Sequence, residues 1–367
     1  MKNRTRAHRK PTIQEIARIA EVSRGTVDRV LHERGDVNPQ VAERVRQVAS
    51  DLAYAPNRAA KALKYSSKPK LVSCILPISN REYFDQVAIG FARAARELSD
   101  MGISVETERL DCDDEGTLIE AIRRRCSMEE GLAGGGDATV AGLILTAPDT
   151  EPVRDAIDCV IAAGVPVITL NSDITECGRL CFVGQDLKRS GLVAAELLSK
   201  MLRGAGRVVA VTGNLVYQAH TDRVVGFQRG VELWGRLLDV DVRESFGTYE
   251  GTISCLEAAF RQAEEEHAEI VGIYMATGIN EACIDFLVER NLVGTVRVVT
   301  NDNTRSIRRA LEAGIVDYTI CQDPEHQGYT PLKLMYEYLF HNTAPLLEWY
   351  QSPIKIVGAS DVVDTDD

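Results

Sequence analysis

Apolar positions in the first fifty residues recur at the spacing of α-helices. Three short periodic segments follow one another, and each begins after a residue that favours a helix N-cap: Thr12, Ser23 and Asn38. Glu15 completes a capping box with Thr12, and Pro39 occupies the first helical position after Asn38. The apolar faces consist of Ile13, Ile16, Ala17 and Ala20, then Val27, Val30 and Leu31, then Val41, Val45, Val48 and Leu52. The pattern predicts a small all-α head whose first two helices form a helix-turn-helix.

From Lys70 onward, the pattern changes to short apolar runs separated by amphipathic helices such as Phe84–Leu98 and Leu192–Leu202. The runs are Leu71–Leu76, Val140–Leu145, Val165–Leu170, Val208–Val211, Ile270–Tyr274 and Val296–Val299. Apolar strands that alternate with helices indicate βαβ units and parallel sheets. The runs are too many for one small domain, so we predict an α/β body of two doubly wound parallel-sheet lobes.

Polar and aromatic residues follow the ends of these strands. Open parallel sheets bind ligands beyond the carboxyl ends of their strands. Amides, carboxylates, an arginine and aromatic rings suit the hydroxyls and C–H faces of a sugar. Any one of these residues is more often an ordinary turn residue, but as a set they share one end of the strands, which indicates a binding site. The candidates are Tyr83, Phe84, Asn171, Asp173, Arg223, Thr277, Asn280, Asp302 and Gln322.

Charge divides the chain into a basic and an acidic part. Fifteen basic and seven acidic residues stand between Met1 and Lys68, which gives a net charge of +8. The remainder carries 27 basic and 47 acidic residues, a net charge of −20. Only the head is therefore suited to a polyanion such as DNA.

The second predicted helix would present Arg24, Gly25, Asp28 and Arg29 outward. An arginine can donate two hydrogen bonds to the edge of a guanine, or it can hold a phosphate. Alternatively, these positions are the ordinary solvated surface of a three-helix bundle. The residues of this one helix leave both interpretations open.

Several classes of protein are disfavoured by what the sequence lacks. The nine cysteines include no CxxC pair, so we expect reduced thiols and no metal site. No apolar run approaches the roughly 20 residues of a membrane helix, and the basic N-terminus shows no secretory signal. No GxSxG, phosphate-binding loop or HExxH motif is present. We expect a cytoplasmic, nucleoid-associated protein with no membrane partner, no cofactor and no enzymatic activity.

The stretch PTIQEIARIAEVSRGTVDRVLHERGDVNPQVAERVRQVASDLAYAPNRAAKALK closely resembles the DNA-binding head of the lactose-repressor/galactose-repressor family. The resemblance implies that the second helix enters the major groove, with Arg24 and Gly25 reading bases. Asp28 stands where many members have serine, so we expect it to accept from a cytosine amino group or to pair with a neighbouring arginine. The implied DNA contacts are Thr12, Ser23, Arg24, Gly25, Thr26, Asp28, Arg29, Asn38 and Tyr54.

The segment after this head resembles the hinge helix of the same family. In the family, that helix orders on DNA and wedges a leucine into the minor groove. Leu63 matches the leucine, and Asn57 and Lys61 belong to the same helix, with lysine in place of a frequent arginine. The predicted domains are a helix-turn-helix head at 1–55, a hinge helix and linker at 56–69, and a two-lobed sensor at 70–367.

The body resembles the periplasmic sugar-binding proteins of the ribose/galactose type. The segments that carry this resemblance are REYFDQVAIGFARAA, VPVITLNSD, FVGQDLKRSG, HTDRVVGFQRG, VVTNDN and TICQDPEHQGY. It implies a periplasmic-binding-protein type I fold in which a sugar stacks on Tyr83 and Phe84 and bonds to Asn171, Arg223, Asp302 and Gln322. Asn171 and Ser172 depart from the family, where an acid is followed by arginine, so we do not expect plain ribose held in the standard way.

Together these features predict a DNA-binding repressor controlled by a sugar or polyol. We expect a homodimer on a near-palindromic operator, because one short reading helix contacts too few base pairs. A sugar transport receptor is disfavoured by the DNA-binding head and the missing signal, and an enzyme is disfavoured by the missing catalytic motifs. The identity of the effector, and whether it releases or promotes DNA binding, stay open.

Overall fold

A computed structural model describes residues 11–31, 37–52, 69–125, 140–235 and 237–363. The chain divides into two compact units, Met1–Ser67 and Lys68–Asp367. The predicted hinge at 56–69 lies outside the described residues except for its last position, so its boundaries stay a prediction. No helix of the described ranges is long and apolar enough to cross a bilayer.

The first unit contains three short helices in the expected places. They are α1 (Ile13–Ile19), α2 (Arg24–Leu31) and α3 (Pro39–Asp51). The Thr12 hydroxyl accepts a hydrogen bond from the Glu15 amide at 3.3 Å. The Asn38 side chain accepts one from the Gln40 amide at 2.9 Å. These caps satisfy first-turn amides that have no partner within their own helix.

The core of this unit is small. Ile16, Val27 and Val45 come from the three different helices, and all three are fully buried at its centre. The other buried members are Ala17, Ala20, Val30, Ala42 and Ala49. Burying a valine or isoleucine side chain contributes roughly 1.5–3 kcal/mol, so each large member supplies a substantial part of the stability of so small a bundle.

The second unit is built on two six-stranded sheets in the described residues. The strands are β1 (Lys70–Pro77), β2 (Ile103–Leu110), β3 (Val140–Leu145), β4 (Val167–Leu170), β5 (Cys181–Gln185), β6 (Gly206–Thr212), β7 (Leu238–Glu244), β8 (Ile270–Met275), β9 (Arg297–Asn301), β10 (Tyr318–Cys321), β11 (Trp349–Ser352) and β12 (Lys355–Val357). Their orders are β11-β5-β4-β3-β1-β2 and β12-β10-β9-β8-β6-β7. All neighbouring pairs are parallel except β10 with β12, which confirms the prediction of two doubly wound parallel-sheet lobes.

Helices cover the faces of both sheets. They are α4 (Arg81–Leu98), α5 (Glu115–Arg123), α6 (Glu151–Ala162), α7 (Leu187–Met201), α8 (Gln218–Trp234), α9 (Tyr249–Glu265), α10 (Glu281–Glu289), α11 (Arg305–Glu312) and α12 (Pro324–His341). Helix α12 packs on α4, and α7 packs on α8. We call the part built on β1–β5, α4–α6, α12 and β11 lobe 1, and the part built on α7–α11, β6–β10 and β12 lobe 2.

The chain passes between the lobes three times, after β5, after β10 and after β11. The Gln185 side chain at the first passage donates to the Cys321 carbonyl at 3.0 Å and to the Pro353 carbonyl at 2.9 Å. One buried amide thus connects all three crossing segments. This arrangement fixes the place about which the lobes can move relative to each other.

Glycines allow the main helix pairs to approach closely. A Cβ at Gly226 would lie 1.9 Å from the Lys188 carbonyl oxygen on the facing helix. Gly116 is also helical, but its Cβ would contact only the Asp114 carboxylate, at an ordinary 3.4 Å. The two positions therefore test whether helix approach or helix propensity decides the effect of an added methyl group.

We expect Gly226→Ala to destabilise the second unit by about 2 kcal/mol or more, because α7 and α8 must separate to admit the methyl group. Gly116→Ala should be neutral or stabilising by up to about 1 kcal/mol, because alanine is the better helix former. Urea unfolding of both full-length variants measures the difference. Equal stability of the two variants would contradict the close packing of α7 and α8.

Candidate functional site

Helix α2 presents an exposed polar turn at its N-terminus. The Ser23 hydroxyl accepts from the Thr26 amide at 3.1 Å and lies 2.9 Å from the Thr26 hydroxyl. Arg24, Gly25 and Arg29 are exposed, and Arg29 Nε donates to the Gly25 carbonyl at 3.2 Å. The helix is therefore capped at the end that the sequence assigns to DNA, and the side chain of Arg24 is exposed there.

The other predicted DNA contacts have different positions. Thr12 and Asn38 serve as helix caps, and Asp28 is partly buried on α2. Four more predicted contacts lie outside the described residues: Tyr54, Asn57, Lys61 and Leu63. The roles of all twelve predicted residues toward DNA stay predictions.

A cavity of about 90 Å³ lies in the cleft between the two lobes. The structure brings six of the nine predicted ligand residues together in its wall: Phe84, Asn171, Arg223, Thr277, Asp302 and Gln322. The end of the strands indicated by the sequence is thus the end at which the two lobes face each other.

Tyr83 does not line this cavity, contrary to its predicted stacking role. It is buried behind Phe84, with the two rings edge-on at a centroid distance of 5.1 Å. Its hydroxyl donates to Gln327 Oε1 at 2.8 Å and accepts from Asn171 Nδ2 at 2.9 Å. Burial raises the pKa of this hydroxyl well above its usual value. Tyr83 therefore positions Asn171, and Phe84 is the ring that faces the cavity.

Two further candidates also lie outside the wall. The Asp173 carboxylate binds Arg179 through two contacts of 2.6 and 2.5 Å, so its charge is already paired within lobe 1. Asn280 is fully buried and donates to the Asn301 carbonyl at 3.1 Å. Both follow strands at the correct end, but their side chains turn back into their own lobes.

A chain of hydrogen bonds connects the cavity wall across the two lobes. Gln327 Nε2 donates to Gln322 Oε1 at 3.1 Å, and Gln322 Nε2 donates to Asp302 Oδ1 at 3.1 Å. Asn80 Nδ2, from lobe 1, donates to the other Asp302 oxygen at 3.2 Å. The buried Asp302 carboxylate is thereby oriented by amides from both sides of the cleft.

Left-handed backbone conformations recur in the wall. The φ angles of Asn80, Asn171, Phe246 and Asp302 are 44°, 62°, 53° and 73°. Asn171 and Asp302 occupy equivalent places directly after β4 and β9, and asparagine and aspartate tolerate this region. A left-handed phenylalanine is uncommon, and such residues cluster at functional sites.

Arg223 extends from helix α8 toward the cavity. Only 4% of the residue is exposed, and its Nη1 donates to the Ala276 carbonyl at 3.2 Å. Its Nε is buried without a partner among the described residues. A buried donor without a partner destabilises a protein by about 1–3 kcal/mol. A ligand oxygen that accepts a hydrogen bond from Arg223 Nε would remove this cost.

Part of the cavity wall follows β2 and β7, two strands that the apolar pattern of the sequence does not predict. Asp113 follows β2 and Phe246 follows β7, and both line the cavity. These strands are partly exposed and contain charged residues, so neither forms an apolar run. Asn214 Nδ2 donates to Asp113 Oδ1 at 3.4 Å across the cleft, and burial is the main cause of the raised pKa of Asp113.

The lobes touch on both sides of the cavity. The Asp149 amide donates to the Val216 carbonyl at 2.7 Å. The Arg305 amide donates to Glu82 Oε1 at 3.0 Å. These two contacts join lobe 1 to lobe 2.

A helix-turn-helix unit followed along the chain by a two-lobed unit with a cavity between its lobes is the architecture of a DNA-binding regulator that senses a small molecule. The family described as bacterial regulatory proteins, lacI family, matches residues 12–57. The family described as periplasmic binding protein domain matches residues 72–343. The chain belongs to this periplasmic binding protein family, and with its lacI-type head it is a DNA-binding transcription regulator.

Curated relatives match this chain along most of their length. The HTH-type transcriptional regulator CelR of Thermobifida fusca is 24% identical over 281 residues, covering 74% of this chain and 75% of the relative. The ribose operon repressor of Haemophilus influenzae is 22% identical, covering 70% and 71%. Catabolite control protein A of Priestia megaterium is 24% identical, covering 80% and 83%.

Solved structures show the same fold for the second unit. A solute-binding protein of Burkholderia graminis in complex with D-arabinose has a TM-score of 0.70 at 18% identity, covering 80% of this chain and 96% of its own. GanP, a glucose-galactose binding protein of Geobacillus stearothermophilus, has a TM-score of 0.68 at 20% identity, covering 80% and 99%. These likenesses establish the periplasmic-binding-protein-like fold.

Proposed function

We propose that this protein is a homodimeric repressor whose affinity for a near-palindromic operator is controlled by a sugar or polyol bound between its lobes. The cavity carries the proposal. Both lobes line it, its polar groups are oriented by the protein, and the buried Arg223 Nε lacks a partner among the described residues. A relative is named as a ribose operon repressor, and one fold neighbour is a complex with D-arabinose.

The chemistry of the wall suits a neutral hydroxylated ligand. The Phe84 ring offers an apolar face for C–H groups, while Asn171 and Asp302 offer acceptors and Arg223 offers donors. An ionised acid would meet the Asp302 and Asp113 carboxylates in the same cavity. We therefore expect uncharged sugars and polyols to bind better than sugar acids.

Thermal unfolding of the full-length protein with D-ribose, D-arabinose, D-xylose, D-glucose, D-galactose and myo-inositol tests this proposal. A ligand at about 100 times its Kd stabilises the folded protein by about 2.7 kcal/mol, which raises Tm measurably. The sugar that raises Tm should also change the affinity for an operator selected from random DNA. A panel without any shift, or a shift without an effect on DNA binding, would contradict the proposed sensor.

Closure of the lobes supplies a switch. A ligand that contacts Phe84 in lobe 1 and Arg223 in lobe 2 favours the closed cleft. We propose that closure moves the hinge segments of the two subunits apart and releases the operator, by analogy with inducible members of the family. Linkage requires that operator changes the affinity for ligand by the same factor that ligand changes the affinity for operator.

We expect the protein to sediment as a dimer at micromolar concentration, because two reading helices are needed to recognise a full operator. The matching DNA site should consist of two half-sites in near-palindromic order, since a two-fold dimer repeats its contacts. Analytical ultracentrifugation measures the oligomeric state of the free protein and of the protein bound to the selected operator. A monomer under both conditions would argue against the proposed assembly.

We expect Arg24→Ala to weaken binding to the selected operator by about tenfold or more, because a bidentate contact to guanine contributes about 1–3 kcal/mol of discrimination. Arg24→Lys should lose most of the same specificity, because an ammonium does not reproduce the two parallel bonds. Binding to random DNA should change little, since phosphate contacts supply it. Fluorescence anisotropy on operator and on random duplexes measures both affinities.

Arg46→Ala is the matched comparison. It removes one positive charge from the same unit, at an exposed site on α3 paired with Glu43. An equal loss on operator and random DNA for Arg24→Ala would show that Arg24 holds a phosphate and does not read a base.

A further inference from the structure

His220 lies in the wall of the cavity, on helix α8 three residues before Arg223. Its Nδ1 is 2.8 Å from the main-chain carbonyl oxygen of Asn214. A carbonyl oxygen only accepts hydrogen bonds, so this contact assigns the imidazole hydrogen to Nδ1. In a neutral ring with this tautomer, Nε2 carries a lone pair and is an acceptor.

The ring is uncharged at neutral pH. Burial lowers the pKa of the His220 imidazole to about 4, against the opposing effect of the Asn214 carbonyl, and the Arg223 guanidinium adds to the lowering. Nε2 forms no hydrogen bond with any described residue. At physiological pH it is therefore an open acceptor in the wall of the cavity.

The orientation of the ring is fixed by its surroundings. A Cβ at Gly213 would lie 2.3 Å from Cε1 and 2.9 Å from Nε2 of His220. The ring therefore packs directly on the Gly213 main chain, where a side chain at position 213 would clash with it. The Tyr217 ring meets it at a centroid distance of 5.8 Å. The Asn214 carbonyl also accepts from the Tyr217 amide at 3.2 Å, which holds that oxygen in place.

His220 and Arg223 place an acceptor beside a donor. Side chains three residues apart share one face of a helix, and Arg223 Nε is buried without a partner among the described residues. A hydroxyl can donate to the imidazole and accept from the guanidinium. An ionised carboxylate cannot donate and an ammonium cannot accept, so neither satisfies both groups.

We propose that His220 accepts a hydrogen bond from one hydroxyl of the bound ligand and makes that hydroxyl a requirement for binding. The inference rests on the proposed function, a sugar or polyol in the cleft, and adds the residue that selects it. Ligands with a hydrogen, a fluorine or an ionised acid at that position are discriminated against. His220 thereby determines which sugars the regulator senses.

The first test uses calorimetric titration of the full-length protein with the best binder among D-ribose, D-arabinose, D-xylose, D-glucose and D-galactose, and with each of its monodeoxyfluoro analogues. Fluorine resembles a hydroxyl in size but cannot donate. One analogue should bind the wild type about tenfold or more weakly than the parent sugar, because it covers the Nε2 acceptor without donating a hydrogen bond to it. In His220→Phe, which keeps a ring on Gly213, that same analogue should lose little relative to the parent sugar. Penalties that are identical in both proteins would overturn the proposal.

The second test needs no ligand. Long-range 1H–15N correlation spectra of the 15N-histidine-labelled protein should show one histidine as the Nδ1–H tautomer, unchanged between pH 7 and about pH 5.5, and absent in His220→Phe. A protonated ring, or the Nε2–H tautomer, would overturn the proposal. If none of the five sugars binds, the proposed ligand class is contradicted, and the tautomer alone decides whether His220 is an acceptor.

Discussion

Arg223→Ala is expected to abolish the effect of sugar on operator binding, while the ligand-free variant binds operator as the wild type does. The guanidinium is buried in the cavity wall and has an unpartnered Nε among the described residues, so its loss removes charge-assisted bonds to the ligand. Two such bonds contribute about 3 kcal/mol or more, which is a loss of about 100-fold or more in sugar affinity. Calorimetric titration with sugar, and operator titrations with and without it, measure the two functions separately.

Arg229→Ala is the matched control for this experiment. Arg229 lies on the same helix, but its side chain is 63% exposed and pairs with Glu232 at 2.8 Å. An exposed pair of this kind contributes little, so sugar affinity and the DNA response should stay at wild-type values. If Arg223→Ala responds to sugar as Arg229→Ala does, the cavity between the lobes is not the sensor. Circular dichroism of both variants verifies that they are folded.

Val45→Asp is expected to abolish operator binding while sugar binding is retained. Val45 is fully buried in the small core of the first unit. An unpaired carboxylate there costs several kcal/mol, which exceeds what a core of this size can offset. The second unit has hydrophobic clusters of its own and should stay folded. Anisotropy titration with operator and calorimetry with sugar measure the two outcomes.

Ser50→Asp places the same charge on the same helix at an exposed position. It should leave the fold of the first unit intact and preserve specific binding to the operator. Wild-type operator affinity in Val45→Asp would contradict the core described for the first unit. Loss of sugar binding in Val45→Asp would show that the second unit depends on the first for its folding.

The helices of the head were predicted from the sequence because their signals are local. The caps Thr12, Ser23 and Asn38, together with a 3.6-residue apolar period, determine where each helix begins and which face is buried. The predicted hinge helix stays a prediction, because residues 53–68 lie outside the described ranges.

Six central strands of the body were predicted, whereas the central strands β5 and β10 and the four edge strands were not among the predicted runs. β1, β3, β4, β6, β8 and β9 are buried on both faces and form continuous apolar runs. The edge strands β2, β7, β11 and β12 have one side toward solvent or are very short, and they resemble loops in composition. Their place is fixed by pairing with distant strands, as when Trp349 pairs with Phe182.

The sequence indicated most of the residues near the candidate site, but it did not indicate the directions of their side chains. Strand ends indicated Phe84, Asn171, Arg223 and Asp302 because parallel strands bring their carboxyl ends to one edge. The position of a residue after a strand does not determine the direction in which its side chain points. Asp173 follows β4 as Asn171 does, yet its side chain turns back into lobe 1.

The sequence by itself determined the two-part organisation, the class of each part and the edge at which a ligand would bind, because these follow from periodicity, capping residues and the polarity of strand ends. Only the tertiary structure decided which side chains face the cavity. In it, the buried Tyr83 hydroxyl accepts a hydrogen bond from Asn171 and so positions that side chain. Asp113 and Phe246 line the cavity although the strands before them have no apolar run. Side-chain direction and pairing depend on contacts between distant segments, and such contacts leave no local pattern in a sequence.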